Sequence, residues 1–410
     1  MQPQIYPLTH HQIPAGKIDR QAYYIIQKLR QAGHVAYLVG GSVRDLLLNI
    51  RPKDFDISTS AKPEEIKKLF KNCILIGKRF RLAHIRFGRK ILEVSTFRAG
   101  DMQSNELILR DNEWGTEEED VLRRDFTING LYYDPESQTI IDYVGGFEDI
   151  DKKILKAIGI PELRFAQDPV RMIRLIKFKA RLKFHIDPST HEALLNSKEL
   201  IVKSSQARIM EELLRMLESS ASKDFFRLLN EYGLLHSLLP LLSEALTKEE
   251  NNPILHFLDH VDQFHKKNHL DKLARPLLLG CLLFPLLQER LKTRFEMDKK
   301  IHLGHIAEQA RQLVNEFFSS FFQISRKTKA ELISLLTHQY RFIPLFSTEN
   351  ISNVRIPKDP RFFLSLMFLK IRSEINQDFK HIYSQWEKHY ELRKKQKPNQ
   401  KPHYGRRKTD

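Results

Sequence analysis

Cysteine is nearly absent: Cys73 and Cys281 are the only two in 410 residues. Two thiols so far apart neither build a disulfide framework nor complete a zinc site, which excludes a small stapled secreted scaffold. Long hydrophobic runs are missing too. The longest, residues 276–287, is too short to span a bilayer and is interrupted by Gly280 and Pro285, so it reads as a buried helix pair. The opening MQPQIYPLTHHQI lacks the basic-then-apolar layout of a secretory leader, and a reducing cytoplasm is the expected compartment. No GxxxxGK[ST] run occurs, so a P-loop ATPase has no support. Acidic residues are in deficit, 51 Asp and Glu against 67 Lys and Arg, for a net charge of +16. That surplus favours a polyanionic partner but leaves RNA, DNA and an acidic membrane surface all open.

What is present suffices for real cores: 41% of the residues are hydrophobic and 10% aromatic. The length suggests two or three folding units. Residues 1–20 read as an irregular lead-in. Over residues 21–150 an amphipathic helix near 22–32 is followed by strand patterns at 34–39, 54–58, 73–76, 82–87 and 91–97. A hairpin at 130–133 and 139–142 turns at Asp134-Pro135-Glu136-Ser137. Helical periodicity then dominates, giving a neck at 151–215 and an all-α body at 216–387. Residues 388–410 are basic and aperiodic and read as a disordered tail. No internal repeat is found. The expected fold class is an α+β head, a small mixed sheet with helices, followed by an all-α neck and body.

The strongest local signal is Val39-Gly40-Gly41-Ser42-Val43-Arg44-Asp45, followed by Asp54-Phe55-Asp56. A strand enters a glycine turn, and a helix is predicted to leave it with Ser42 as N-cap. Glycines let the backbone approach a phosphate, and a helix N-terminus offers it free N–H groups. On a strand, Asp54 and Asp56 point to one face and Phe55 to the other. Two carboxylates so placed call for a cation, and Mg²⁺ is the usual one beside a triphosphate. Glu93, a charge inside the apolar run Ile91-Leu92-Glu93-Val94, is a candidate third ligand; an outward-facing Glu paired with Arg98 or Lys90 is the other reading.

Thr116 with Glu119 forms a capping box, so a helix begins there and ends near Arg123 and Arg124. Those arginines either take phosphate oxygens or simply complement a helix C-terminus. Asp125 either holds one of them, bonds a ribose, or is a surface acid. Further on, Asp168-Pro169 predicts a helix start with Asp168 as N-cap. Asp168, Arg171, Arg174 and Lys177 recur every three residues as a polar stripe opposite Val170, Ile173 and Ile176. An aspartate accepting from an exocyclic amine and an arginine donating to a ring nitrogen fit adenine and cytosine alike. Guanine and uracil reverse that pattern and leave groups unpaired, at about 1–3 kcal/mol each. The bland alternative is a salt-bridged helix face. His256, His260, His265 and His269 have helical spacing for a metal site, but no acidic or Cys framework completes one.

These motifs together resemble the class II nucleotidyltransferases of the polymerase-β superfamily, which comprise CCA-adding enzymes and bacterial poly(A) polymerases. The resemblance rests on Gly40-Gly41-Ser42 with Arg44-Asp45, Asp54-x-Asp56, EVSTFR at 93–98, Arg123-Arg124-Asp125-Phe126-Thr127-Ile128-Asn129 and Asp168-x-x-Arg171. It implies a polymerase-β-like head, two Mg²⁺ ions and ATP as substrate. It also implies a monomer acting on RNA 3′ ends, rather than on DNA, in mRNA processing and decay. Asp54, Asp56 and Asp125 match catalytic positions, and Gly41, Arg44, Arg124, Asp168, Arg171 and Arg174 match nucleotide-binding positions; Gly40, Ser42, Arg123 and Lys177 are expected to complete the nucleotide site. Residues 75–85 and Leu109-Arg110-Asp111-Asn112 look more like the poly(A) polymerases than the CCA-adding enzymes. Gln167 and Lys177 depart from the usual Glu and Arg. The basic tail, with Arg393-Lys394-Lys395, Lys397, Lys401 and Arg406-Arg407-Lys408, is expected either to add RNA affinity or merely to solubilise. Two other readings are a CCA-adding enzyme and a non-catalytic RNA-binding protein; the latter predicts loss of an aspartate, and both aspartates are present.

Overall fold

A computed structural model describes residues 2–77, 82–99, 113–248, 252–267, 272–297, 302–343 and 356–396. The chain divides into two compact units, Met1–Ser205 and Gln206–Asp410. Residues 151–205 of the expected neck therefore fold with the head.

The first unit is built on an eight-stranded sheet. Its strands are β1 (Gln4–Pro7), β2 (Ala36–Val39), β3 (Asp56–Thr59), β4 (Cys73–Ile76), β5 (Leu82–Phe87), β6 (Lys90–Thr96), β7 (Leu131–Asp134) and β8 (Thr139–Asp142). They lie in the order β1-β8-β7-β2-β3-β6-β5-β4. Only the β3–β6 pair is parallel. The lead-in is thus not irregular throughout. β1 is an edge strand whose one buried side chain, Tyr6, stacks on Phe147 at 4.0 Å; one apolar contact in four residues is too weak a period to read. The β7–β8 hairpin turns where expected, with Asp134 Oδ1 accepting from the Glu136 amide at 2.9 Å.

Helix Arg20–Gln31 starts because Asp19 accepts from the amides of Gln21 and Ala22. It buries Ala22, Ile25, Ile26 and Leu29, the i, i+3, i+4, i+7 stripe of a helix lying on a sheet. On the sheet's inner face Leu38, Ile57, Ala83, Ile85, Leu92 and Val94 are all buried. The neck is not purely helical either: Ile154–Leu155 and His185–Ile186 form a two-residue parallel pair.

The second unit is helical. Residues 276–287 lie within one continuous helix, Arg275–Met297, with Pro285 inside it, rather than in two. Proline inside a helix costs roughly 3 kcal/mol. Leu278, Cys281, Leu282, Leu283, Phe284 and Leu287 are all buried, and that burial offsets the cost. Gly280 sits where a Cβ would meet Leu335 at 3.0 Å and Phe368 at 3.1 Å, so its bareness permits the close approach. The last helix, Lys380–Gln396, runs on through part of the stretch expected to be an aperiodic tail; Trp386 anchors it against Phe342 and Phe362. Residues 397–410 lie outside the described residues.

Candidate nucleotide and metal site

The glycine turn, Asp56 and Arg124 lie together at one end of β2 and β3. β2 runs into Gly40, which has φ +71°, and the helix Gly41–Leu47 follows. A side chain at Gly40 would be strained and would meet Arg124 Nη1 at 3.5 Å; one at Gly41 would meet Arg44 Nη2 at 3.5 Å. The turn therefore passes between two guanidiniums. Ser42 is not the N-cap. The left-handed Gly40 takes that place, and the buried Ser42 hydroxyl donates back to Val39 O at 3.0 Å. Arg44 is buried, donates to Asn129 Oδ1 at 2.6 Å and to Asp45, and lies 5.1 Å from the Phe178 ring centroid.

Asp56 opens β3, with Val39 opposite it on β2 and Glu93 opposite it on β6. Phe55 is buried, as the alternation requires. Asp54 lies just before the strand rather than on it. Glu93 pairs with neither Lys90 nor Arg98. Lys90 reaches Asp19, while His84 Nε2 on β5 lies 3.3 Å from Glu93 Oε1. Asp56, Asp54 and Glu93 thus form an acid row. Asp56 keeps an exposed edge at the start of the strand, yet the protein packed around its carboxyl and the Glu93 carboxylate push it up to about 6; Asp54 adds to that push and Arg124 opposes it.

The capping box at Thr116 is present, with Glu119 Oε2 accepting from the Thr116 amide at 2.7 Å, and helix Glu117–Leu122 follows. Asp120, in the middle of the acidic run, is the residue that the sequence reading missed. It is fully buried and holds both arginines: Oδ1 accepts from Arg123 Nε at 2.9 Å, and Oδ2 from Arg124 Nη2 at 2.7 Å. The Arg98 amide and the Tyr132 hydroxyl complete its shell. Burial raises the Asp120 carboxyl, but Arg124 and Arg123 outweigh it and hold it at about 2. Arg124 also donates to Ser58 Oγ at 3.2 Å, which places it over the same face as Asp56. The signal was the i+3 and i+4 spacing from Asp120 to Arg123 and Arg124.

Asp125 does not hold Arg123 or Arg124, and it is buried rather than a surface acid. Its Oδ2 accepts from Arg174 Nε at 2.7 Å, and its Oδ1 from the Phe126 amide and Asn129 Nδ2. Burial raises Asp125 too, yet Arg174, Asn129 and Phe126 bring it down to about 2.

The helix carrying Arg171 and Arg174 spans Val170–Leu182. Asp168 is the residue after the preceding helix, Pro161–Gln167, and not the N-cap of the next. Val170, Ile173 and Ile176 are buried as predicted, and Asp168, Arg174 and Lys177 are half-buried. Arg171 departs from the stripe. It is buried, and donates to Arg123 O at 2.9 Å and Arg164 O at 3.3 Å. Arg164, also missed, donates to Leu122 O, Arg124 O and Gln167 Oε1. Two neck guanidiniums thus cap the carbonyls at the end of helix Glu117–Leu122.

Among the described residues no three His, Cys, Asp or Glu side chains close into a ready-made metal cage. That removes the histidine idea for the described positions: His265 bonds Ser219 O and His260 lies 2.8 Å from Glu374, while His269 lies outside the described residues. The acid row, too, is no such cage; it is three carboxylates on or beside neighbouring strand positions. Residues 78–81 of the polymerase-like segment, and Leu109-Arg110-Asp111-Asn112, are outside the described residues.

A "Poly A polymerase head domain" family matches residues 36–156, and a "Probable RNA and SrmB- binding site of polymerase A" matches residues 183–246. Poly(A) polymerase I of Escherichia coli O6:H1 is 39% identical over 312 residues, covering 73% of this chain and 67% of that protein. A CCA-adding enzyme of Lactobacillus helveticus is 40% identical over 212 residues, covering 51% of this chain and 52% of that one. In fold, the chain is similar to a tRNA nucleotidyltransferase crystallised with a primer tRNA and an incoming ATP analogue, with a TM-score of 0.57 at 21% identity over 90% of this chain and 99% of that one. No described helix is long and apolar enough to cross a membrane. By the extent of its match to both polymerase domains and to the Escherichia coli enzyme, this chain belongs to the poly(A) polymerase family of nucleotidyltransferases.

Proposed function

We propose that this protein transfers AMP from ATP to the 3′-hydroxyl of RNA, releasing pyrophosphate, as a monomer in the cytoplasm. The observation that carries the reading is the 39% identity to a poly(A) polymerase I across 73% of the chain, which the CCA-adding relative matches over only 51%. Asp54 and Asp56, with Glu93 beside them, are the residues that would hold two Mg²⁺ ions, which when bound neutralise developing charge and favour ionisation of the attacking hydroxyl. Arg124 and the Gly40-Gly41 turn face that row and bind the triphosphate, with Arg123 beside them and Ser42 and Arg44 fixing the turn. Asp125, held by Arg174 and Asn129, is set to take a ribose hydroxyl on its remaining lone pairs. Asp168, Arg171 and Arg174 read the base edge and Lys177 supports the phosphates.

Arg171 has two duties in this scheme, because its guanidinium also holds the Arg123 carbonyl. Arg171→Ala is expected to raise the KM for ATP roughly tenfold and to relax discrimination against GTP and UTP, each lost base contact being worth about 1–3 kcal/mol. Single-nucleotide competition assays read both effects. Unchanged discrimination would leave Arg171 with a positioning duty alone. Glu93→Gln is expected to lower transfer by roughly 10²-fold, in the range seen when a charge-stabilising group is lost; full activity would return Glu93 to a structural role.

The hydrogen-bonding logic separates A and C from G and U, but not A from C. The test is to supply generic RNA and a tRNA lacking its 3′ end with labelled nucleotides and size the products. Long adenylate tails on generic RNA support the reading. Addition of two C and one A to the tRNA, followed by arrest, would assign the chain to the CCA-adding branch.

A further inference from the structure

The sheet face that carries Asp56 is divided in two. On the β2–β7–β8 side it is covered: Val39, Tyr132 and Ile141 share a buried cluster with Val121 of helix Glu117–Leu122 and with Phe97. On the other side the register carries the same face from Asp56 through Glu93 and His84 to Ile74 on β4, the sheet edge. There Ile74, Ile76 and Ile91 keep 44%, 42% and 43% of their surface exposed. Arg86, opposite Ile91, is exposed as well. The reverse face of the same strands is well packed, with Ala83, Ile85, Leu92 and Val94 fully buried or nearly so. Three large aliphatic side chains, open on one face beside an acid row, mark a contact surface rather than scattered surface residues.

The direction of the reaction says what lies on it. In an in-line displacement the attacking and leaving oxygens stand on opposite sides of the phosphorus. Gly40 and Arg124, to which the proposed function assigns the triphosphate, lie together on the β2 side of Asp56. The attacking hydroxyl must then arrive from the β6 side. We propose that the open face formed by Ile74, Ile76, His84, Arg86 and Ile91 seats the terminal nucleotides of the acceptor RNA and delivers the 3′-hydroxyl past Glu93. This rests on the reading of the chain as a nucleotidyltransferase acting on RNA 3′ ends. The two strand steps from β6 to β4 span about 10 Å, enough for a base with its ribose. Aliphatic side chains and an imidazole accept any base by its flat face, and Arg86 supplies a phosphate contact, as sequence-tolerant binding requires. His84 touches the acid row directly, its Nε2 lying 3.3 Å from Glu93 Oε1.

Ile74→Glu, Ile76→Glu and Arg86→Ala, made in the full-length protein, test the proposal at positions outside the catalytic machinery. Two readouts are paired: extension kinetics, and photocrosslinking of an RNA with 4-thiouridine at its 3′ end. The apparent KM for RNA is expected to rise about tenfold in the Glu variants, the scale of one lost base contact, with the KM for ATP at saturating RNA unchanged. The wild-type crosslink is expected in residues 73–76 or 82–91. An unchanged RNA KM together with a crosslink outside those residues would overturn the proposal. So would an Ile74→Glu variant that changes oligomeric state but not RNA KM, since the face would then meet a second copy. A wild-type protein that extends no RNA overturns the functional reading instead, and the crosslink, which needs no turnover, still locates the 3′ end.

Discussion

Replacing Asp56 by Asn is expected to lower nucleotide transfer at least ~10³-fold, equivalent to about 4 kcal/mol of lost transition-state stabilisation, while the protein becomes no less stable. The stability half of that result follows from the acid row. Desolvation and Glu93 lift the Asp56 carboxyl to about 6, so its charged form is disfavoured in the folded state. A carboxyl raised above its unfolded value destabilises the fold progressively as pH climbs past about 4, and fully above about 6. Removing the charge at pH 7 in metal-free buffer should therefore leave the thermal midpoint equal or higher, and below pH 4 the difference should vanish. Mg²⁺ should raise the wild-type midpoint and leave that of Asp56→Asn where it was, because ligand binding stabilises only the form that binds. Near-normal turnover by the variant would remove Asp56 from the metal site, and a variant that unfolds would make it structural.

Asp120→Asn should show the opposite signature. Here the carboxylate is fully buried between two guanidiniums, and its loss leaves buried positive charge uncompensated. Breaking such a pair typically costs 3–5 kcal/mol, so a clear fall in the unfolding midpoint is expected. The pH dependence has a fixed sign. Because the folded carboxyl is held at about 2, below its usual value of 3.8, its contribution is present above about pH 4 and fades as pH falls toward 2. The shift corresponds to roughly 2 kcal/mol. Wild type and variant should thus converge in stability at acid pH. In kinetics, Arg124 loses its anchor beside Gly40, so the KM for ATP should rise about tenfold or more while the KM for RNA changes little. Equal loss in both substrates would mean that the fold, rather than the arginine pair, was damaged.

Much of the site was legible because its chemistry is local in sequence. A glycine turn between a strand and a helix, a Phe between two aspartates, and a capping box each declare their geometry within a few residues. Partnerships across the sheet were not legible. Glu93 faces Asp56 only because β6 runs parallel to β3, a long-range pairing that no period reveals. Asp120 hid among Glu117, Glu118 and Glu119, where acids are expected on dipole grounds alone. Arg171 was placed on an open stripe by its three-residue spacing, yet it turns inward to cap a neighbouring helix, since spacing gives the side of a helix but not the neighbour it meets. In the second unit the apolar run around Gly280 and Pro285 read as two helices because local breaker rules ignore burial on every side.

Whether the acid row serves adenylate addition to RNA is decided by incorporation of each of the four nucleoside triphosphates, one at a time, onto an unstructured RNA in Mg²⁺, with product length resolved nucleotide by nucleotide. Long, heterogeneous extension is expected with ATP, little with CTP, and almost none with GTP or UTP. Extension with CTP at a rate equal to ATP, or none with ATP, would contradict it.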